Sequence, residues 1–150
     1  MKTKEDNILS VSEEKINGMI NNLCRKIEVA EIDFNKIVGI ANGGLNISIK
    51  LSDMLCIPHQ QLRISYYEGD FEYNKQSFKH EHDDIVLLVD DLIDSGKTVK
   101  YFCDKYNFCQ GQNLFVACLY YKVDNDHFQY ANFYVEEKPD VWIQFPWEKN

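Results

Sequence analysis

Apolar positions along this 150-residue chain switch repeatedly between helical spacing and short unbroken runs, and the switches predict its elements. Ile16, Met19, Ile20, Leu23 and Ile27 recur at the spacing of one helix face, with Ser10 or Ser12 placed to cap it. Lys36-Ile-Val-Gly-Ile-Ala41 predicts a short buried strand that stops at Asn42-Gly43-Gly44. Helical spacing returns through Leu45, Ile49, Leu51 and Leu55 and must end before Pro58. Residues 61–68 predict a second strand, and the polar, aromatic-rich stretch 69–84 predicts a loop. Ile85-Val-Leu-Leu-Val89 is the most apolar strand, closed abruptly by Asp90-Asp91. Residues 96–108 predict a helix with Val99, Phe102 and Cys103 on one face. Residues 114–121 and 132–135 predict further strands, and an aromatic-rich tail follows Pro139.

Strands that alternate with helices argue for βαβ units, hence an α/β fold with a largely parallel central sheet flanked by helices. No repeat, low-complexity tract or linker divides the chain, so one domain over 1–150 is expected, its core at about 36–136. In such sheets ligands collect beyond the carboxyl ends of the strands. The two punctuated strand ends, Asn42-Gly-Gly and Asp90-Asp91, are therefore expected to face one crevice.

Charge narrows the partners. A formal net charge of −8 argues against nucleic acid or an anionic membrane bound through a broad basic surface. The longest aliphatic run is far too short to span a bilayer, and the N-terminus turns acidic before any apolar stretch, which predicts a cytoplasmic chain. Five scattered cysteines without a CxxC pair are expected to be reduced and mostly buried. The run His80-Glu-His-Asp-Asp84 is expected to be a solvated charge cluster rather than a metal site.

The chemistry concentrates in Ile85-Val-Leu-Leu-Val-Asp-Asp-Leu-Ile-Asp-Ser-Gly-Lys-Thr98. A buried strand delivers Asp90, Asp91 and Asp94 within five residues. Clustered carboxylates near a low-dielectric interior are costly unless hydroxyl donors or a divalent cation answer them. Ser95-Gly96-Lys97-Thr98 then opens a helix, where free N–H groups and the helix dipole favour a phosphate. Acceptors for sugar hydroxyls thus stand beside a phosphate cradle, as a phosphorylated ribose requires. A nucleotide-binding P-loop needs a glycine where Asp91 stands. A response-regulator receiver domain needs its acidic pair on the first strand, and this pair comes far later.

This stretch resembles the phosphoribosyl-diphosphate signature of type I phosphoribosyltransferases: an apolar strand, two acidic residues, two apolar residues, then Asp-Ser/Thr-Gly and a hydroxyl residue. The resemblance implies that Asp90 and Asp91 bond the ribose hydroxyls. It implies that the backbone of Asp94, Ser95, Gly96, Lys97 and Thr98 holds the 5′-phosphate with the hydroxyls of Ser95 and Thr98. It makes Asp94 the group that exchanges a proton with the base. Ile37-Val-Gly-Ile-Ala-Asn-Gly-Gly-Leu45 resembles the family's pyrophosphate loop, which assigns the diphosphate to Asn42, Gly43 and Gly44. Purine-specific members often carry Arg or Lys where this chain has Asn42, so the loop is expected to lack a cation of its own. Ser65 and Tyr66 match the start of the family's mobile loop, which closes over the reacting centre and excludes water.

The tail, Trp142-Ile-Gln-Phe-Pro-Trp-Glu148, resembles the C-terminal hood of bacterial xanthine-guanine phosphoribosyltransferases. A small hood at about 137–150 is thereby implied, with a possible contribution from the N-terminal helix at 12–30. By the same resemblance Trp142 stacks on the purine, the Ile143 backbone reads its edge, and Lys122 donates to the 6-oxo group. Such stacking contributes on the order of 1–3 kcal/mol per base. Asp91 and Glu148 become the carboxylates for Mg²⁺. The implied activity is Mg²⁺-dependent purine salvage: transfer of 5-phosphoribosyl from phosphoribosyl diphosphate to N9 of guanine, xanthine or hypoxanthine, in a homo-oligomer. A non-catalytic nucleotide or phosphoribosyl-diphosphate sensor on the same fold is the alternative, and Asn42 is the feature that favours it.

Overall fold

The computed structural model describes residues 7–67, 70–73, 81, 83–123 and 129–148. Nine strands, β1 (Ile8–Ser10), β2 (Lys36–Ala41), β3 (His59–Tyr67), β4 (Asp70–Tyr73), β5 (Val86–Val89), β6 (Leu92–Ile93), β7 (Leu114–Tyr121), β8 (Phe133–Glu137) and β9 (Trp142–Gln144), are described. Three helices, α1 (Glu13–Val29), α2 (Leu45–Leu55) and α3 (Lys97–Tyr106), join them. The main sheet runs β4-β3-β2-β5-β7, with β6 and β8 both also paired to β7. Every ladder in it is parallel except β3 with β4. β1 and β9 form a separate parallel pair.

The central strands read as continuous apolar runs because helices cover both faces of the sheet. Side chains alternate between the faces with period two. Ile37, Leu87, Val89, Ala117 and Leu119 pack with Leu23 and Ile27 of α1 and with Ile47 and Leu51 of α2. Val38, Ile40, Val86, Leu88, Val116 and Cys118 pack with Val99 and Phe102 of α3. Truncating one of these fully buried aliphatic side chains to Ala typically costs about 2–5 kcal/mol.

Local signals explain most element ends. Ser12, rather than Ser10, caps α1 by accepting the Lys15 N–H at 3.1 Å. Cys56 ends α2 in the left-handed conformation, two residues before Pro58. The face predicted for α2 is shifted: Ile47, Ser48 and Leu51 are buried, whereas Ile49 is exposed. Ser48 turns inward because it bonds His59 Nε2 at 2.8 Å beside Gly39.

The cysteine expectation holds only in part. All five are free, but only Cys24 and Cys118 are buried, and Cys56 and Cys109 are exposed, since their loops lie outside the two cores. The stretch predicted as a loop begins with β4, whose backbone pairs with the end of β3. Ser65 and Tyr66 accordingly stand in a strand, opposite Glu72 and Phe71. Residues 74–80 of the predicted mobile segment, and His80 and His82 of the charge cluster, lie outside the described residues. Among the described residues no helix is long and apolar enough to cross a membrane.

Candidate active site

The Asp90-Asp91 turn is anchored by the strand it leaves. β7 pairs with β5 over Leu114 to Ala117 and with β6 over Tyr120 and Tyr121, so the turn falls between two ladders. Backbone bonds lock it there: Asp90 N–H donates to Ala117 O, and Leu119 and Tyr120 N–H both donate to Asp91 O. Asp90 Oδ1 accepts the Asp91 N–H at 2.8 Å. Burial raises the pKa of Asp90 well above the ordinary carboxylate range, and the neighbouring Asp91 charge adds to it. Burial raises Asp91 too, while hydrogen bonds from Asp90 and the backbone pull it back. The pair is thus a desolvated acceptor site whose charge is incompletely answered, the condition that favours donors or a cation.

The loop after β2 lies directly on this pair. The Ala41–Asn42 peptide is cis. A Cβ on Gly43 would fall 2.0 Å from Asp91 Oδ2, and one on Gly44 would fall 2.6 Å from Ile40 O and 2.7 Å from Val89 O. Only glycines allow β2 and β5 to bring their ends this close. The Gly44 N–H, expected to face a phosphate, is spent on Ile40 O at 2.8 Å. Arg63, opposite Ala41 in the β2–β3 register, donates from Nη2 to Asn42 Oδ1 at 3.1 Å. Nothing local in the sequence links these two residues; the parallel ladder does.

Beyond β6, Gly96 adopts a positive φ of 79° and α3 begins at Lys97. The Lys97 N–H donates to Ser95 Oγ at 3.4 Å, and Gly96, which stands at the N-cap, brings no side chain to cap the helix. A Cβ on Gly96 would fall 2.1 Å from a ring carbon of Tyr130, so the turn needs glycine on both steric and conformational grounds.

The tail closes the other side. A cavity of about 970 Å³ is lined by Asp91, Leu92 and Asp94 from the acidic turn, by Trp142, Ile143, Phe145 and Glu148 from the tail, and by Asn7 and Ile8 from the N-terminus. Lys138, Asp140 and Val141 complete its wall. Lys122, just past β7, holds its Nζ 3.6 Å from Asp94 Oδ1. Trp142 is 68% exposed, which leaves its ring open to a ligand, while Ile143 is buried. Glu148 has its pKa raised by burial and by the Asp91 charge, against a backbone hydrogen bond from its own turn.

The structure therefore brings Asp91, Asp94, Trp142, Ile143 and Glu148 together around one cavity, with Lys122 on Asp94 and the Asn42-Gly43-Gly44 loop on Asp91. Asp90, Ser95, Gly96, Lys97 and Thr98 stand on the same acidic turn and helix start. Sequence reasoning missed Arg63, Tyr130, Lys138, Asp140 and the β1 contribution. Strand β1 joins the tail by pairing with β9 through Ile8, Leu9 and Ser10, and α1 meets it as well, with Glu13, Ile16 and Asn17 facing Pro146 and Trp147 across a small pocket.

An α/β sheet that gathers a carboxylate pair, a glycine-opened helix start and a tail-capped cavity beyond its strand ends sets its candidate site where such sheets bind ligands. The family described as phosphoribosyl transferase domain matches residues 5–149. A xanthine-guanine phosphoribosyltransferase of Chromohalobacter salexigens is 30% identical over 158 residues, covering 93% of this chain and 83% of that protein. A purine phosphoribosyltransferase from Pyrococcus horikoshii superposes with a TM-score of 0.80 at 25% identity, covering 96% of each chain. The Helicobacter pylori xanthine-guanine-hypoxanthine enzyme shares the fold, with a TM-score of 0.73 at 20% identity over 94% of this chain and 93% of its own. The chain belongs to the type I phosphoribosyltransferase family.

Proposed function

We propose that the protein transfers the 5-phosphoribosyl group of phosphoribosyl diphosphate to N9 of a 6-oxopurine (guanine, xanthine or hypoxanthine), releasing pyrophosphate. The observation that carries this reading is the pairing of Lys122 with Asp94 at 3.6 Å beside the cavity that Trp142 overhangs. An ammonium there offers hydrogens to a 6-oxo oxygen and nothing to a 6-amino group, which disfavours adenine. The Chromohalobacter relative's xanthine-guanine activity agrees with that preference.

The residues divide the work by position. Asp90 and Asp91 accept hydrogen bonds from the ribose hydroxyls, and the start of α3 from Ser95 to Thr98 takes the 5′-phosphate. The C1–oxygen bond to diphosphate breaks as the C1–N9 bond forms, with oxocarbenium character between, much as in glycoside cleavage. Asp94 accepts the proton carried by the imidazole ring of the base. Trp142 stacks on the purine and the Ile143 backbone meets its edge. Among the described residues no cluster of three metal-binding side chains exists. Two hard carboxylates, Asp91 and Glu148, suit Mg²⁺ that completes its shell with substrate oxygens and water. Bound so, Mg²⁺ would neutralise charge on the departing diphosphate.

Nucleotide formation from phosphoribosyl diphosphate, Mg²⁺ and each of hypoxanthine, guanine, xanthine, adenine and uracil tests the reading. Product from 6-oxopurines alone is expected. Asp94→Asn should lower turnover by about 10²-fold or more, in keeping with the usual contribution of a positioned base, and leave phosphoribosyl-diphosphate affinity nearly unchanged. Binding of phosphoribosyl diphosphate without product from any base would favour the sensor instead.

A further inference from the structure

We propose that Arg63 is the cation that binds the diphosphate of the substrate, held over the loop by Asn42; this rests on the transfer reading for the identity of the ligand. A diphosphate brings several negative charges to a site whose side chains include Asp90, Asp91, Asp94 and Glu148, on a chain of net charge −8. The loop itself offers little against that load, because the Gly44 N–H is spent on Ile40 O. Two other cations near the cavity are engaged on its base-binding side: Lys122 with Asp94, and Lys138 with the carbonyls of Pro139 and Val141.

Arg63 meets the need by topology. Its place opposite Ala41 in the parallel β2–β3 ladder puts it beside the residue that opens the loop. Its side chain is exposed, and one of its donors reaches Asn42 Oδ1 at 3.1 Å. A guanidinium carries five donors in a planar fork, so one bond to Asn42 fixes its direction and leaves the rest of the fork to grip phosphate oxygens. The loop residue then has to be a neutral acceptor. A Lys or Arg at 42 would set like charges within hydrogen-bonding distance of each other. Asn42 and Arg63 thus work as a unit, with the positive charge carried on the neighbouring strand rather than on the loop.

Titration calorimetry on wild type, Arg63→Gln, Arg63→Lys and Asn42→Ala tests this with three probes: pyrophosphate with Mg²⁺, phosphoribosyl diphosphate with Mg²⁺, and ribose 5-phosphate, which lacks the diphosphate. Arg63→Gln should weaken the two diphosphate probes by about tenfold to a hundredfold, the worth of charge-assisted hydrogen bonds, and leave ribose 5-phosphate unchanged. Arg63→Lys should recover part of the loss and Asn42→Ala should show a smaller one. Unchanged diphosphate affinity in Arg63→Gln, or an equal loss for ribose 5-phosphate, overturns the proposal, as does a wild type that binds neither diphosphate probe. Should Arg63→Gln fail to fold, Arg63→Lys and Asn42→Ala carry the comparison. Diphosphate binding that depends on Arg63 in a protein forming no nucleotide would sink the transfer reading and keep this one. Nucleotide formation by Arg63→Gln with a wild-type KM for phosphoribosyl diphosphate would do the reverse.

Discussion

Gly44→Ala probes the closeness of the two strand ends on which the site depends. Gly44 has φ −69°, where alanine is at ease, so any cost is steric rather than conformational. The added methyl carbon would lie 2.6 Å from Ile40 O, 2.7 Å from Val89 O and 3.1 Å from Asp90 Cα. All three are backbone atoms, held by the β2–β5 ladder and by the Asp90 N–H bond to Ala117 O. None can rotate away as a side chain can. Forcing such a methyl into packed backbone costs about 1–3 kcal/mol. For a chain of this size each kcal/mol shifts the melting temperature by about 2–4 °C, so a fall of roughly 2–12 °C is expected. Gly43→Ala supplies the contrast, because its methyl meets the Asp91 carboxylate at 2.0 Å. That side chain can swing aside, so stability should change little while phosphoribosyl-diphosphate binding falls sharply. Calorimetric melting and ligand titration on both variants separate the effects. A Gly44→Ala protein that melts with wild type and binds normally would refute the claim that the two strand ends are closed on each other.

Two other outcomes follow from features outside the site. Burial holds the pKa of His59 below the ordinary imidazole range. The unfolded chain therefore takes up the proton first as pH falls below about 6.5, and stability present above that pH is lost as pH falls toward the folded pKa. Melting curves from pH 8 to pH 5 should show a steeper acid loss in wild type than in His59→Gln, and equal slopes would remove His59 as the cause. Gly18 stands on the exposed face of α1, and a Cβ there would meet nothing within 4 Å. Gly18→Ala should stabilise the protein by about 0.5–1 kcal/mol, read as a small rise in melting temperature, and a fall would show that the helix needs that glycine for some other reason.

Much of this protein was legible in its order of residues because the information is local. The buried face of α1 follows from Ile16, Met19, Ile20, Leu23 and Ile27, all of which are buried. The acidic turn is legible because an apolar strand, two carboxylates and a glycine-opened helix start are contiguous in the chain. That the two carboxylates stand at the end of β5, and the Asn42-Gly43-Gly44 loop at the end of β2, follows the general rule for parallel sheets. The face of α2 was misread because periodicity cannot weigh Ser48, whose burial depends on a partner, His59, contributed by another element.

What only the tertiary structure decided are the meetings between residues far apart in the chain. Arg63 reaches Asn42 because two parallel strands share a register, and Lys122 reaches Asp94 because β6 and β7 end together. The N-terminal strand completes the tail by pairing with β9 across more than 130 residues, as the Ser10–Gln144 bond shows. Short strands such as β1, β4, β6 and β9 carry too few residues for a pattern of their own; they exist because a neighbour supplies the hydrogen bonds. The chain thus carries the chemistry of the acidic turn in its local sequence, whereas the cation and the cavity set around that turn depend on long-range strand pairing, which local spacing does not encode.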